Sequence, residues 1–205
     1  MPLIRKEPSG PEGEPAPSDD LLTRGDAQQR WSAARAMPGD AAGVDALSAA
    51  LLNETDARVR EAILTRLAAA DTPAAVDAVL PHLRSDDAGL RTGALDSLRL
   101  MRTAVAPRLR ALLHDPDRDV RILACELLRQ VAPAEASGLL AEVLMNEPDP
   151  NVCAAVVETM AEIGGPGDVA ALTRCAERFP DEAFLGYAIQ HTLERISAGA
   201  SPPRG

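Results

Sequence analysis

Asp56-Ala-Arg-Val-Arg60-Glu-Ala-Ile63-Leu-Thr-Arg-Leu67 is echoed by Asp117-Arg-Asp-Val-Arg121-Ile-Leu-Ala124-Cys-Glu-Leu-Leu128. With the Asp as origin, the same phase recurs at Asp26, Asp56, Asp87, Asp117, Asp149 and Asp181, with separations of 30, 31, 30, 32 and 32 residues. Three positions on stand Gln29, Val59, Leu90, Val120, Val152 and Phe184; seven on, Ala33, Ile63, Ala94, Ala124, Val156 and Ala188. Eleven on come Met37, Leu67, Leu98, Leu128, Met160 and Thr192. Apolar side chains at this spacing share one face of a helix of 3.6 residues per turn. An Asp just before such a run is a natural N-cap, because its carboxylate accepts the free backbone N–H groups of the first turn.

Upstream of each Asp the pattern predicts a second helix opened by Pro, Gly or Asp, as at Asp71-Thr-Pro73 and Gly164-Gly-Pro166-Gly-Asp168. Pro fits the first turn, where its missing N–H has no partner to lose. Pro81 and Pro107 fall deeper, and Pro81 is expected to kink or shorten its helix. One helix pair cannot bury its apolar face alone, whereas stacked pairs build a continuous core. The prediction is an all-α, right-handed α-α superhelix of about five helix pairs. A short first helix near Asp19–Arg24 and its partner at 27–37 should precede them as an N-terminal cap.

The rest of the composition agrees. Hydrophobic residues make up 46% of the 205 residues but aromatics only 2%, so the core must be Ala, Leu, Val and Ile. A net charge of −10 argues against a nucleic-acid backbone or an anionic membrane as partner. Cys125, Cys153 and Cys175 are too few and too scattered for a disulfide framework or a Cys-x-x-Cys metal site. No apolar run approaches the ~18 residues of a membrane span, and Met1–Lys6 lacks the apolar stretch of a secretion signal. The cytoplasm is the expected location. Residues 1–18, with Pro2, Pro8, Pro11, Pro15 and Pro17, and residues 198–205 are expected to be disordered tails around a domain at 19–197. Within the first tail Met1-Pro-Leu-Ile-Arg-Lys6 is apolar and then basic, with the only lysine of the chain, and has the character of a tethered docking peptide.

Asp56-x-x-Val-Arg60 followed by Ala62 and Leu67 resembles the HEAT repeat, and the ~30-residue spacing with Pro or Gly turns resembles the phycobilisome-lyase HEAT-like subtype. The resemblance covers about residues 19–197. It implies that Arg60, Arg91 and Arg121 pair with Asp56, Asp87 and Asp117 between neighbouring repeats as a structural ladder. Cys153 and Leu185 replace the Arg in the last two copies, which marks these repeats as divergent and makes Cys153 a candidate exposed thiol. The family includes bilin lyases, proteins that serve cofactor-bearing assemblies, and a di-iron hydroxylase whose ligands are His-Glu pairs. Here the histidines are followed by Leu83, Asp115 and Thr192, so the hydroxylase is excluded. No nucleophile–base spacing and no phosphate-binding Gly loop occurs, and no catalytic residue, cofactor or metal is expected.

What remains is a surface. In such stacks the Asp-capped helices line the concave side, and positions five and nine after each Asp should point out of the core. Trp31 and Ile122 are the large apolar residues in those columns. Glu61, Asp96, Glu126 and Glu158 are the acidic ones. These six are the candidate partner-binding residues of a non-enzymatic scaffold or assembly factor. The expected partner is a client protein, and the resemblance implies a cofactor-carrying enzyme complex as that client. The alternative is an enzyme or subunit of the bilin-lyase type.

Overall fold

The computed structural model describes residues 19–130 and 133–199; the two Pro-rich ends, with the Met1–Lys6 motif, lie outside the described residues. Twelve α-helices occur among the described residues, arranged as six consecutive pairs. The first pair is α1 (Asp19–Arg24) with α2 (Ala27–Ala36), and the second is α3 (Ala41–Leu51) with α4 (Ala57–Ala70). Then follow α5 (Pro73–Val79) with α6 (Ala88–Leu100), and α7 (Arg102–Leu113) with α8 (Arg118–Leu128). The stack ends with α9 (Pro133–Asn146) and α10 (Pro150–Ile163), then α11 (Val169–Arg178) and α12 (Ala183–Gly199). The even-numbered helices pack side by side in chain order and form one layer of an α-α superhelix.

The capping Asp residues act as expected in five copies. Asp26 accepts from the Gln29 N–H, and the Gln29 side chain returns a bond from the Asp26 N–H, closing a capping box. Asp56 accepts from the Arg58 and Val59 N–H groups at 2.9 and 3.2 Å, and Asp87, Asp117 and Asp149 cap α6, α8 and α10 in the same way. The sixth copy departs. α12 starts at Ala183, a residue later relative to Asp181, and its first turn closes from the Gly186 N–H to the Glu182 carbonyl at 2.9 Å. That delay turns the exposed side of the last helix by one position.

The partner helices obey the proline logic. Thr72 caps α5 with Pro73 in the first turn, and Pro81 ends regular α-helix, so α5 stops at Val79 and the chain continues as a 3₁₀ turn over Leu80–Arg84. Pro107 sits inside α7 on its solvent side without breaking it. One glycine is required by contact: a Cβ on Gly43 would lie 2.0 Å from the Pro38 carbonyl oxygen, so only glycine lets α3 start beneath that turn.

The core is aliphatic throughout. Val59, Val120 and Val152, three residues after their Asp, are fully buried, as are Ile63, Ala94, Ala124 and Val156 one turn on. The equivalent Gln29 and Phe184, in the terminal repeats, are exposed. α12 continues to Gly199, two residues beyond the expected end of the domain.

Candidate functional site

The Asp-capped layer presents three grooves in a row. The first, about 560 Å³, lies between α2 and α4 and is lined by Trp31, Arg35, Arg58, Glu61 and Thr65. Two guanidinium groups stack on the indole, Arg35 at 4.6 Å and Arg58 at 5.4 Å from the ring centroid, so this end is cationic. The second, about 590 Å³, lies between α4 and α6 and has Leu64, Leu90 and Leu100 with Glu61, Asp87 and Asp96. The third, about 440 Å³, lies across α8, α10 and α12 and is the most apolar: Ile122, Ala154, Val157, Phe184 and Tyr187, with Glu158 and His191 at its rim. Phe184 is 76% exposed and Tyr187 74%, which is unusual for two aromatic rings in a chain that has four. Large apolar groups left in water beside one another mark a surface that gains by being covered.

Two sets of ion pairs join successive repeats of the stack. Along the turns preceding the capped helices, Arg30 meets Glu54 at 2.7 and 3.0 Å, and Arg121 meets Glu147 at 2.9 Å through two nitrogens. Both acids stand two residues before the capping Asp and also accept its N–H. Burial pushes the Glu54 carboxyl up, but the Arg30 hydrogen bond and the Asp56 and Thr55 N–H groups outweigh it, and its pKa ends below the usual range. The arginine four residues after each Asp also donates to a carbonyl in its own turn: Arg30 to Gly25, Arg60 to Glu54, Arg91 to Ser85 and Arg121 to Asp115. The second set runs along the groove face. Arg99 joins Asp96 at 2.8 Å and also Glu126, while Arg129 lies 3.2 Å from Glu162 and 3.8 Å from Glu158.

Residues 105–190 match the family model described as HEAT repeats. That part of the chain carries HEAT repeats. The 30- to 32-residue phase and the capped helices extend that pattern through both flanks of the matched region. Among solved structures, the chain is similar to the crystal structure of an engineered protein at 21% identity, over 91% of this chain and 97% of that one, with a TM-score of 0.43. It is also similar to a second engineered protein at 22% identity, over 87% and 56% of the two chains, with a TM-score of 0.42. A third is the complex of CpcE and CpcF of phycocyanin lyase from Nostoc sp. PCC7120, at 18% identity over 96% and 99%, with a TM-score of 0.41. No protein of curated function matches the chain.

The HEAT ladder differs in detail from the expected one. Arg60 reaches Asp87 in the next repeat at 2.6 Å, as the pattern implies. Arg121 pairs with Glu147 rather than a capping Asp, and Arg91 bonds a carbonyl of its own repeat, while Asp115, the acid at the equivalent place in the next turn, is joined to Arg84. The position two before the Asp was the missed signal. It reads Glu54, Ser85, Asp115 and Glu147, four side chains that each accept the following Asp N–H.

Cys153 is fully buried, not exposed: its Sγ lies 3.6 Å from the Glu147 carbonyl, where an Arg would otherwise reach. The lost cation is supplied by Arg178 of α11, which donates to the Leu144 and Glu147 carbonyls. Contact with Cys175 and burial push the Cys153 thiol up, and burial pushes Cys125 up to about 12. Neither is a nucleophile in this setting.

Of the six candidate partner residues, Trp31 and Glu61 share the first groove, Glu61 and Asp96 the second, and Ile122 and Glu158 the third. Glu126 belongs with Arg99, and Asp96 and Glu158 also have arginines beside them, so the column is not a free acidic stripe. Phe184, Tyr187 and His191 were absent from the sequence-derived set. The late start of α12 brings positions 187 and 191, rather than 186 and 190, to the groove. Their signal in the sequence was two of only four aromatic residues standing three apart. Among the described residues no group of three His, Cys, Asp or Glu side chains converges on a metal position, and no helix is long and apolar enough to cross a membrane.

Proposed function

We propose that this chain is a non-enzymatic scaffold that holds a segment of a client protein along its Asp-capped face, in an assembly or maturation role. The observation that carries the reading is the third groove, where Phe184 and Tyr187 stand largely in water opposite Ile122 and Ala154. Rigid aromatic rings in an apolar cleft are the usual anchors of protein recognition, because they bury much area at little entropic cost. Ion pairs that span successive repeats keep the cleft's walls at fixed spacing, which reduces the ordering cost of binding. Trp31 extends the same face at the opposite end. A cofactor-carrying enzyme complex is the client class that the repeat subtype suggests. We take the cytoplasm as the compartment, which suits three unpaired thiols.

The test is affinity capture from the native cell extract with wild type and the Phe184→Ser/Tyr187→Ser double variant. Both positions are exposed, so folding should be unchanged. One stoichiometric protein retained by wild type and lost by the variant supports the scaffold. No such protein, together with an absorbance shift when a free bilin is added, would turn the assignment to the lyase class.

A further inference from the structure

The second groove has an occupant of matching chemistry in this same chain. Its floor is apolar and open: Leu64 and Leu90 line it, Leu100 at its edge is 70% exposed, and Gly93 adds no side chain where a Cβ would fall 2.9 Å from Leu64 Cδ1. Its rim is acidic. Glu61 has no ion-pair partner among the described residues, while Asp96 and Asp87 each share one arginine, Arg99 and Arg60. The segment Met1-Pro-Leu-Ile-Arg-Lys6 offers the complement, Leu3 and Ile4 followed at once by two cations.

Reach separates the three grooves. Twelve residues, Glu7 to Ser18, join the segment to the start of α1, and an extended chain of that length spans about 40 Å. Neighbouring helices pack about 8–10 Å apart, so α6, two steps from α2, lies within about 20 Å along the layer. The third groove starts at α8, about 30 Å away, but its aromatic wall on α12 is five steps away at about 50 Å, beyond a fully stretched spacer. The first groove is close but already holds Arg35 and Arg58 on Trp31, which repel Arg5 and Lys6. Of the three grooves, the one between α4 and α6 is within reach across its whole width and carries an acidic rim.

We propose that Met1–Lys6 docks in cis into the groove between α4 and α6, with Leu3 and Ile4 against Leu64, Leu90 and Leu100 and with Arg5 and Lys6 at Glu61 and Asp96. A short tether makes the local concentration of the segment about millimolar, so a weak contact is enough to populate the docked state. Docked, the segment covers the middle of the binding face, and a client that extends past the third groove must displace it.

The experiment is paramagnetic relaxation in the full-length protein, with a nitroxide on Ser9→Cys and isotope-labelled leucine methyl groups. The native thiols are buried and escape labelling. The expected result is a several-fold loss of the Leu64, Leu90 and Leu100 methyl signals relative to the reduced label, restored by Arg5→Glu with Lys6→Glu. Signals of Leu172 and Leu185, in the last repeat, should not change. Equal signals in both proteins would overturn the proposal. So would a loss centred on the last repeat that grows with protein concentration, which would mean docking onto a second copy. Neither outcome bears on the Phe184/Tyr187 capture test, so the two ideas stand or fall separately.

Discussion

Replacing Arg121 by Ala removes the most enclosed pair of the stack. The Arg121 side chain is 13% exposed and that of Glu147 5%, and the carboxylate receives two guanidinium hydrogen bonds at 2.9 Å. Without the arginine, Glu147 keeps only the Asp149 N–H at 3.0 Å, and the Asp115 carbonyl loses its 2.8 Å donor. Stranding one buried charge of a pair costs about 3–5 kcal/mol, a large share of the roughly 5–15 kcal/mol that a domain has in total. At about 2–4 °C per kcal/mol for a chain of this size, the thermal midpoint should fall by roughly 6–20 °C. Far-UV circular dichroism, as a melt and as a urea titration, reads this directly. The double variant Arg121→Met/Glu147→Leu should recover much of the loss, since it leaves no unpaired charge. Arg60→Ala should cost much less, because its partner Asp87 is half in water. A melt of Arg121→Ala within about 2 °C of wild type would refute the reasoning, given that conversion.

Two further outcomes follow from the same side chains. Glu54 has a folded pKa below its unfolded value near 4.5, so its stabilising contribution is present above that value and is lost as pH falls through the lowered folded one. Urea midpoints followed from neutral to acidic pH should therefore drop, and Glu54→Gln should start lower and show a flatter drop; an identical slope would count against the Arg30–Glu54 account. For the cysteines, all three are buried and Cys125 is pushed up to about 12. A thiol reagent at mildly alkaline pH should therefore leave the native protein unmodified and react with three groups per chain in denaturant. Rapid reaction of one group in the native protein would contradict the burial of these thiols.

The periodic part of this protein was legible in its residues. Asp at a spacing of about thirty, with apolar positions three, seven and eleven beyond it, sets helix starts and buried faces through bonds and contacts within a single repeat. The helix boundaries at Asp26, Asp56, Asp87, Asp117 and Asp149, and the interruption at Pro81, accordingly came out as read. Contacts between repeats were not legible to the same degree, because their partners lie about thirty positions apart and several acids compete for each arginine. Glu147 rather than Asp149 meets Arg121, and Glu126 meets Arg99 instead of standing free. Cys153 changed meaning altogether once Arg178 from another helix filled its place. The third groove depended on a one-residue delay in starting α12, which rotates an α-helix by about 100° and so exchanges Gly186 and Gln190 for Tyr187 and His191. Local capping and periodicity determined the repeats. The partners of the charges and the aromatic anchors were decided by how neighbouring repeats stack, since that rotation and those distances exist only in the assembled layer.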